Sequence, residues 1–167
     1  SVASPEGGRA IVQTAIDAFG TVDIVVNNAG ILRDKSFHNL DQAMIEAVIQ
    51  VHLLGAFYVT QPAFQVMREK GYGRIVSTSS NSGLLGNFGQ SNYGAAKMGI
   101  IGFMNTILLE GQKNNVHINA ISPVAANRQG AIDHLKRVLE CCHNAGVQTL
   151  CGPYYQVLGV FTGKGPQ

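Results

Sequence analysis

The sequence predicts an α/β fold built on a doubly wound parallel sheet. Short runs rich in Val and Ile alternate with longer stretches in which apolar residues recur at helical spacing. Each short run is apolar on both faces, which is typical of parallel strands between helices. The length of 167 residues corresponds to about one domain.

The first half of the chain predicts a helix, a strand and a long second helix. Apolar residues recur from Ile11 to Phe19, and Gly20 follows as a C-terminal stop. Residues 22–26 form a short β-branched run that predicts a buried strand. After a polar loop, a long helix is expected from about residue 41 to residue 70.

The alternation of helix and strand continues after Gly71 and Gly73, which separate the long helix from the next strand. Residues 74–79 predict a second strand, and a Ser-, Asn- and Gly-rich loop covers residues 80–91. A helix rich in small residues is expected from residue 92 to about residue 112, followed by a third strand at residues 116–121.

Three loops should meet at one edge of this sheet, because each follows the carboxyl end of a predicted strand. They cover residues 28–30, 80–91 and 123–127. Open α/β sheets bind ligands at that edge. The sequence therefore places a small-molecule site there.

The composition of the chain indicates which partners it can bind and where in the cell it is expected. Twelve Lys and Arg against ten Asp and Glu give a net charge of +2, and the basic residues are scattered. This argues against a nucleic-acid interface. The chain lacks an uninterrupted apolar run of membrane-spanning length and begins without a signal-peptide pattern, so the expected location is cytoplasmic, with no membrane partner.

Tyr93 and Lys97 are the first candidates for chemistry. Four residues apart at the start of a predicted helix, they share one helix face. A free phenol holds its proton tightly at neutral pH, and a nearby ammonium favours the phenolate. Ser80 lies 13 residues before Tyr93, directly after a strand, where its hydroxyl could donate to the same substrate oxygen.

An ordered set of motifs over residues 1–126 resembles the short-chain dehydrogenase/reductase family. The motifs are NNAG at residues 27–30, Ser80, GNFGQ at residues 86–90 and YGAAK at residues 93–97. YxxxK alone is a weak signal, and the ordered set is strong. The sequence is most similar to 3-oxoacyl-thioester reductases and to the (3R)-hydroxyacyl-CoA dehydrogenase part of peroxisomal multifunctional enzymes.

This resemblance implies hydride transfer between NAD or NADP and a carbonyl or secondary alcohol carbon. The most similar members imply that this carbon belongs to a 3-oxoacyl or 3-hydroxyacyl thioester. Tyr93 would be the general acid and base, Lys97 would hold the nicotinamide ribose hydroxyls, and Ser80 would orient the substrate oxygen. The implied cofactor-binding residues are Asn28, Ala29, Gly30, Tyr93 and Lys97.

Two positions depart from the family pattern. His52 stands where the family usually has an Asn that completes a catalytic tetrad. His52 could serve as an alternative proton-relay residue, or it could be a helix histidine packed against its neighbours. Val124 follows Pro123 where the family usually has the Gly of a Pro-Gly pair that contacts the nicotinamide carboxamide.

The largest departure is the absence of a glycine-rich turn between a strand and a helix, the usual pyrophosphate site. The chain would therefore enter the fold in the helix before its fourth strand. The expected architecture is a partial Rossmann-like sheet lacking its first strands. The strand at residues 22–27 would then be an exposed edge, which favours poor solubility or association.

Residues 127–167 are expected to form a separate helix-strand tail. It resembles a fragment of sugar isomerase/epimerase TIM barrels, but its only carboxylates, Asp133 and Glu140, lie on the predicted helix and cannot assemble a metal site. The three cysteines of this tail have no disulfide or zinc-finger spacing, so no metal is expected.

Two hypotheses about function follow. The chain is either an oxidoreductase of the short-chain dehydrogenase type, impaired by truncation, or a catalytically silent fragment or chimera that keeps only an oligomerisation surface. In the family, the helices predicted at residues 41–70 and 92–112 commonly form an interface between subunits. Together with a charged content of only 13%, this predicts a homo-oligomer.

Overall fold

The computed structural model describes residues 1–123. The predicted tail helix and strand, the boundary between residues 126 and 127, and Val124 lie outside the described residues.

Five helices and three strands account for most of the described chain. The helices are α1 (Pro5–Phe19), α2 (Gln42–Ile49), α3 (Gly55–Lys70), α4 (Asn81–Leu84) and α5 (Ser91–Gly111), and the strands are β1 (Ile24–Asn27), β2 (Gly73–Thr78) and β3 (Val116–Ile121). A π-helical turn, Gln50–Leu54, joins α2 to α3, and short 3-10 turns occupy Phe37–Asn39 and Gln112–Asn114.

The strands form a parallel sheet in the order β1-β2-β3. Val25 pairs with Ile75, and Ile75 pairs with Ile118, so these three side chains form one row across the sheet. The three predicted strands and the α/β class are confirmed. β1 lies at one edge of this sheet within residues 1–123, but it is not the exposed edge that the sequence predicted, because Ile24, Val25 and Val26 are only 1%, 2% and 6% exposed.

The helices pack on the face of the sheet that carries this row. The core cluster combines residues of α1, α3 and the three strands, and side chains of α5 pack against it. On the opposite face His117 and Asn119 of β3 are exposed, and Arg74 and Val76 of β2 are half-buried. Ile24 and Val26 of β1, on the same face as these residues, are buried, so within residues 1–123 this face is open mainly along β3.

Local capping explains where the predicted helices begin and end. Gly20 ends α1 with φ 75°, a left-handed conformation that glycine adopts at low cost. The Asp41 carboxylate accepts a hydrogen bond from the Met44 N–H at 2.8 Å and thereby starts α2. The long helix predicted to run to Lys70 is present, but the π-helical turn interrupts it.

The loop predicted at residues 80–91 contains the short helix α4. The Ser80 hydroxyl accepts a hydrogen bond from the Ser82 N–H at 3.2 Å, which satisfies one free N–H of its first turn. The prediction of an uninterrupted loop was wrong for this reason.

Residues Gln42–Lys70 are, by length and composition, long and apolar enough to cross a membrane. In this fold one face of the segment packs on the core of the sheet. Ala63 and Met67 are completely buried in the cluster that covers the sheet, and the buried Thr60 hydroxyl accepts a hydrogen bond from the Asn27 side chain at 2.8 Å.

Candidate active site

Tyr93 and Lys97 lie on the same face of α5, in its first two turns. The Lys97 ammonium is 5.5 Å from the centre of the Tyr93 ring. The four-residue spacing thus brings the cation beside the phenol, as the sequence indicated.

Lys97 is the central charged group of the site. Its side chain is buried, and its Nζ donates a 2.5 Å hydrogen bond to the Thr78 carbonyl oxygen at the end of β2. The Ser79 hydroxyl donates to the Lys97 carbonyl oxygen at 2.9 Å, so two neighbouring residues of β2 and the loop after it hold this part of α5. Burial lowers the pKa of Lys97 to about 8, because water no longer solvates the ammonium.

His52 lies in the π-helical turn and reaches the same place. Its ring meets the Tyr93 ring edge to face, with centroids 5.0 Å apart. Its Nε2 is 2.7 Å from the Ile31 carbonyl oxygen and 3.0 Å from the Ile31 amide nitrogen. π-Helical turns are frequent at functional sites, and here the turn places a side chain against the candidate acid.

The environment of His52 keeps its ring neutral. Burial, and secondarily the charge of Lys97, lower the pKa of His52 to about 4, although its bond with the Ile31 backbone acts in the opposite direction. Its Nδ1 is buried and has no hydrogen-bond partner within residues 1–123. His52 and Lys97 line a cavity of about 10 Å³, the space of about one water molecule.

Gly30 lies directly against this histidine. A Cβ at position 30 would stand only 2.4 Å from Cε1 of His52, which is closer than any carbon contact allows. The glycine of the NNAG motif is therefore needed here because the loop after β1 passes so close to the ring.

Ser80 follows β2 and caps α4, and α4 packs against α5. A Cβ at Gly83 of α4 would lie 3.0 Å from the Lys97 Cβ, so the turn that Ser80 begins is adjacent to Lys97. Ser80 uses an oxygen lone pair for its cap and keeps its own O–H group for donation. The flanking serines are committed elsewhere: Ser79 donates to Lys97, and Ser82 donates to Gln90 at 2.8 Å.

Three of the residues predicted to hold the cofactor, Asn28, Ala29 and Gly30, lie where β1 ends. Asn28 is exposed, and its Oδ1 accepts a hydrogen bond from the Thr78 hydroxyl at 3.0 Å. Asn28 and Ala29 line the cavity beside His52 and Lys97. The structure therefore brings Asn28, Ala29, Gly30, His52, Tyr93 and Lys97 to one edge of the sheet, with Ser80 on the adjoining turn.

Several residues of the site were not singled out from the sequence. Thr78 accepts the Lys97 bond through a backbone oxygen, which no residue type reveals. Asn92, next to Tyr93, is 4% exposed. An Asn in the first turn of a helix, where its side chain can bond to the backbone, was the available signal for it.

A family model described as short chain dehydrogenase matches residues 1–149. The chain belongs to this family. Members of the family are NAD(P)-dependent dehydrogenases and reductases, which agrees with the enzyme class that the sequence predicted.

Relatives support the same assignment. A Mycobacterium tuberculosis protein named as a short-chain type dehydrogenase/reductase is 52% identical over 128 residues, which are 77% of this chain and 45% of that protein. The peroxisomal multifunctional enzyme type 2 of Mus musculus is 53% identical over 125 residues, or 75% of this chain and 17% of that enzyme. The peroxisomal hydratase-dehydrogenase-epimerase of Neurospora crassa is 54% identical over 122 residues, 73% of this chain and 14% of that enzyme.

A solved structure has the same fold. The crystal structure of a short-chain dehydrogenase from Streptomyces avermitilis superimposes with a TM-score of 0.72 at 25% identity, covering 76% of this chain and 47% of that chain. The chain thus spans less than half the length of these relatives.

The described residues fit one end of the family's cofactor. Lys97 has three N–H donors and uses one on Thr78, so it can still donate to ribose hydroxyls. The orphaned His52 Nδ1 and the cavity beside it show that this edge of the sheet is not fully satisfied by the protein's own groups. A glycine-rich phosphate turn between a strand and a helix is absent from the sequence, so a fit is indicated for the nicotinamide end.

Gly30→Ala should destabilise the protein by about 1–3 kcal/mol, because its methyl group would collide with the His52 ring. Adding His52→Ala should remove most of that penalty, which urea denaturation of both single variants and the double variant would measure. Gly102→Ala is the matched control: nothing lies within 4 Å of its Cβ position on α5, and alanine there should be neutral or stabilising. Additive effects of the two substitutions would contradict the contact.

Acid should destabilise the protein through His52. Its pKa is about 4 in the fold, below the value of 6.5 for an ordinary histidine, so the unfolded chain takes up a proton first as pH falls from 6.5 to 4. Stability is lost over that window, by up to about 3 kcal/mol. The free energy of unfolding of the wild type should therefore fall more between pH 7 and 4.5 than that of His52→Asn.

The control for this pH dependence is His38→Asn, at an exposed ring, which should keep the acid response of the wild type. Equal acid responses of His52→Asn and the wild type would refute the neutral, buried histidine.

Proposed function

We propose that this chain carries the proton-transfer half of an NAD(P)-dependent oxidoreductase that interconverts a carbonyl and a secondary alcohol. The observation that supports it is the buried Lys97 ammonium, 5.5 Å from the Tyr93 ring and bonded to the end of β2. Buried cations are uncommon in protein cores, and an ammonium beside a phenol is an arrangement suited to proton transfer.

In the direction of reduction, NADH or NADPH supplies the hydride when bound. The Tyr93 hydroxyl donates its proton to the substrate oxygen as negative charge develops there. Ser80 donates a hydrogen bond to the same oxygen and orients it. Lys97 stabilises the phenolate that remains on Tyr93 and binds the ribose hydroxyls. In oxidation the phenolate takes the proton back.

His52 can extend this chemistry or only support it. In the relay interpretation, a water in the cavity accepts from or donates to His52 Nδ1 and connects Lys97 with solvent. In the packing interpretation, His52 holds Ile31 and the Tyr93 ring in place through the contacts described above. The orphaned Nδ1 favours the relay, since a buried polar atom normally has a partner.

For the substrate, we propose a 3-oxoacyl or 3-hydroxyacyl thioester. The names of two relatives include a multifunctional enzyme and a hydratase-dehydrogenase-epimerase, and the chain is 53% and 54% identical to them. The turn after Ser80 also carries exposed apolar side chains suited to an acyl group: Leu84, Leu85 and Phe88.

Residues 127–167 remain a proposed separate tail. The alignments with relatives extend over 121 to 128 residues, which suits a division near residue 126, whereas the family model continues to residue 149. Cytoplasmic location likewise remains a prediction, with the peroxisome as its competitor because relatives are named as peroxisomal enzymes.

Two measurements separate the silent-fragment alternative from the enzyme: the affinity for the nucleotide and the activity of a Tyr93 variant. Calorimetric titration with NADH and with NADPH should give micromolar binding, on the order of −8 kcal/mol, if the chain holds the cofactor. Tyr93→Phe should then keep that affinity and lose at least 100-fold in reduction of a 3-oxoacyl thioester.

Tyr72→Phe is the matched control, since Tyr72 stacks on Arg74 at the other end of β2, and it should leave activity unchanged. Weak or absent nucleotide binding would favour the silent fragment, and full activity of Tyr93→Phe would remove Tyr93 from the mechanism.

We also propose that the chain forms a homo-oligomer through α3 and α5. Phe57 of α3 and Phe103 of α5 stack with ring centroids 4.0 Å apart, and Phe57 remains 42% exposed. Such an apolar patch on two adjacent helices suits a subunit interface.

Phe57→Glu should shift the sedimentation coefficient to that of a monomer, because it would bury a charge at the interface. Phe19→Glu, at an exposed phenylalanine of α1, is the control and should sediment like the wild type. A wild type that sediments as a monomer at tens of micromolar would overturn the proposal.

A further inference from the structure

Asn92 connects three separate segments at the position immediately before Tyr93. Its Nδ2 donates to the Arg33 carbonyl oxygen at 3.0 Å and to the Met44 carbonyl oxygen at 3.3 Å. Its Oδ1 accepts from the Tyr93 N–H at 2.8 Å. Both amide hydrogens and the oxygen of this buried side chain are therefore in use.

The two donated bonds go beyond the capping of a helix. A cap needs only an acceptor for a free N–H of the first turn, which the bond to Tyr93 provides. Arg33 and Met44 are 59 and 48 residues away in sequence, in the loop after β1 and in the first turn of α2. Asn92 thus joins α5, α2 and residues 31–36, here called the β1 loop.

A second set of bonds holds the same loop from outside. The Gln90 side chain donates to the Asp34 carboxylate at 2.8 Å, and the Lys35 N–H donates to the Gly89 carbonyl oxygen at 2.9 Å. Asp34 is exposed, so this set closes the loop at the surface, whereas Asn92 holds it from the interior.

The β1 loop also carries the partner of His52. Ile31 bonds the His52 ring, and that ring meets Tyr93 edge to face. Tyr93 is therefore bounded on one side by a ring whose position depends on the loop, and its backbone is bonded to the side chain that anchors the same loop. A shift of the loop would move the phenol relative to its neighbours.

We propose that Asn92 is a positioning residue for Tyr93, acting through the β1 loop and His52. This inference rests on the proposed role of Tyr93 in proton transfer. Its structural content, the orientation of the phenol ring, can be tested without that role.

The test uses the whole chain labelled at its tyrosine and histidine rings, studied by NMR. The wild type should show a cross-peak between the His52 and Tyr93 rings, assigned with Tyr93→Phe and His52→Asn. Asn92→Ala removes all three bonds. Asn92→Asp keeps the acceptor for the Tyr93 N–H and removes both donors.

Both Asn92 variants should lose the cross-peak and shift the Tyr93 ring signals, while the signals of Tyr72 stay in place. Asn39→Ala, which removes an exposed amide bonded to Ser36 in the same loop, is the control and should keep the cross-peak. A cross-peak that survives in Asn92→Asp would reduce Asn92 to a helix cap, and the proposal would be wrong.

If neither Asn92 variant folds, Asp34→Ala decides the question, because Asp34 is exposed and its loss leaves the core intact. It loosens the β1 loop through Gln90 and should shift the Tyr93 ring signals. Unchanged signals in that variant would overturn the proposal.

A kinetic measurement separates this inference from the proposed function. Asn92→Asp should lower kcat for thioester reduction by about 10- to 100-fold with KM unchanged, since misplacement of a reacting group costs rate. Full activity of Tyr93→Phe would contradict the proposed function, but the NMR result would still test the contact between the His52 and Tyr93 rings. Unchanged kcat together with a lost cross-peak would show that the orientation is not used, against the positioning role.

Discussion

The arrangement of this site depends on one bond, from the Lys97 ammonium to the Thr78 carbonyl oxygen. A buried cation is tolerable only where a strong acceptor meets it, and the last carbonyls of β2 provide that acceptor. The bond docks α5 on the carboxyl end of the sheet, and the hydrogen bond from Ser79 fixes the same turn. The neutrality of His52 follows in part from it, because a second positive charge beside Lys97 is unfavourable.

The residues around that bond have different roles, and the sequence motifs do not distinguish these roles. Tyr93, Lys97 and Ser80 present the reactive groups, whereas Gly30 matters for what it lacks. Asn27, beside the exposed Asn28, turns its amide inward to the hydroxyls of Thr60 and Ser77. Asn27 thus stabilises the packing of β1, whereas Asn28 lies at the edge of the sheet where a ligand would bind.

Features that depend on residues close in sequence could be predicted from the sequence alone. The spacing of Tyr93 and Lys97 defines a helix face, Asp41 is a typical cap, and β-branched runs predict strands. Contacts made through the backbone or across distant segments were not readable. The π-helical turn at His52, the Thr78 carbonyl and the bonds of Asn92 depend on how α2, α5 and the sheet pack, which no window of the sequence encodes.

The parallel order of β1, β2 and β3 affects how the sheet can form during synthesis of the chain. Ile24 pairs with Arg74, 74 − 24 = 50 residues later, and Gly73 pairs with Val116, 116 − 73 = 43 residues later. No hairpin joins these three strands, so α2 and α3 must be synthesised before β1 can pair with β2. Pairing over such sequence separations carries a high loop-closure cost, which makes this part of the sheet slow to form.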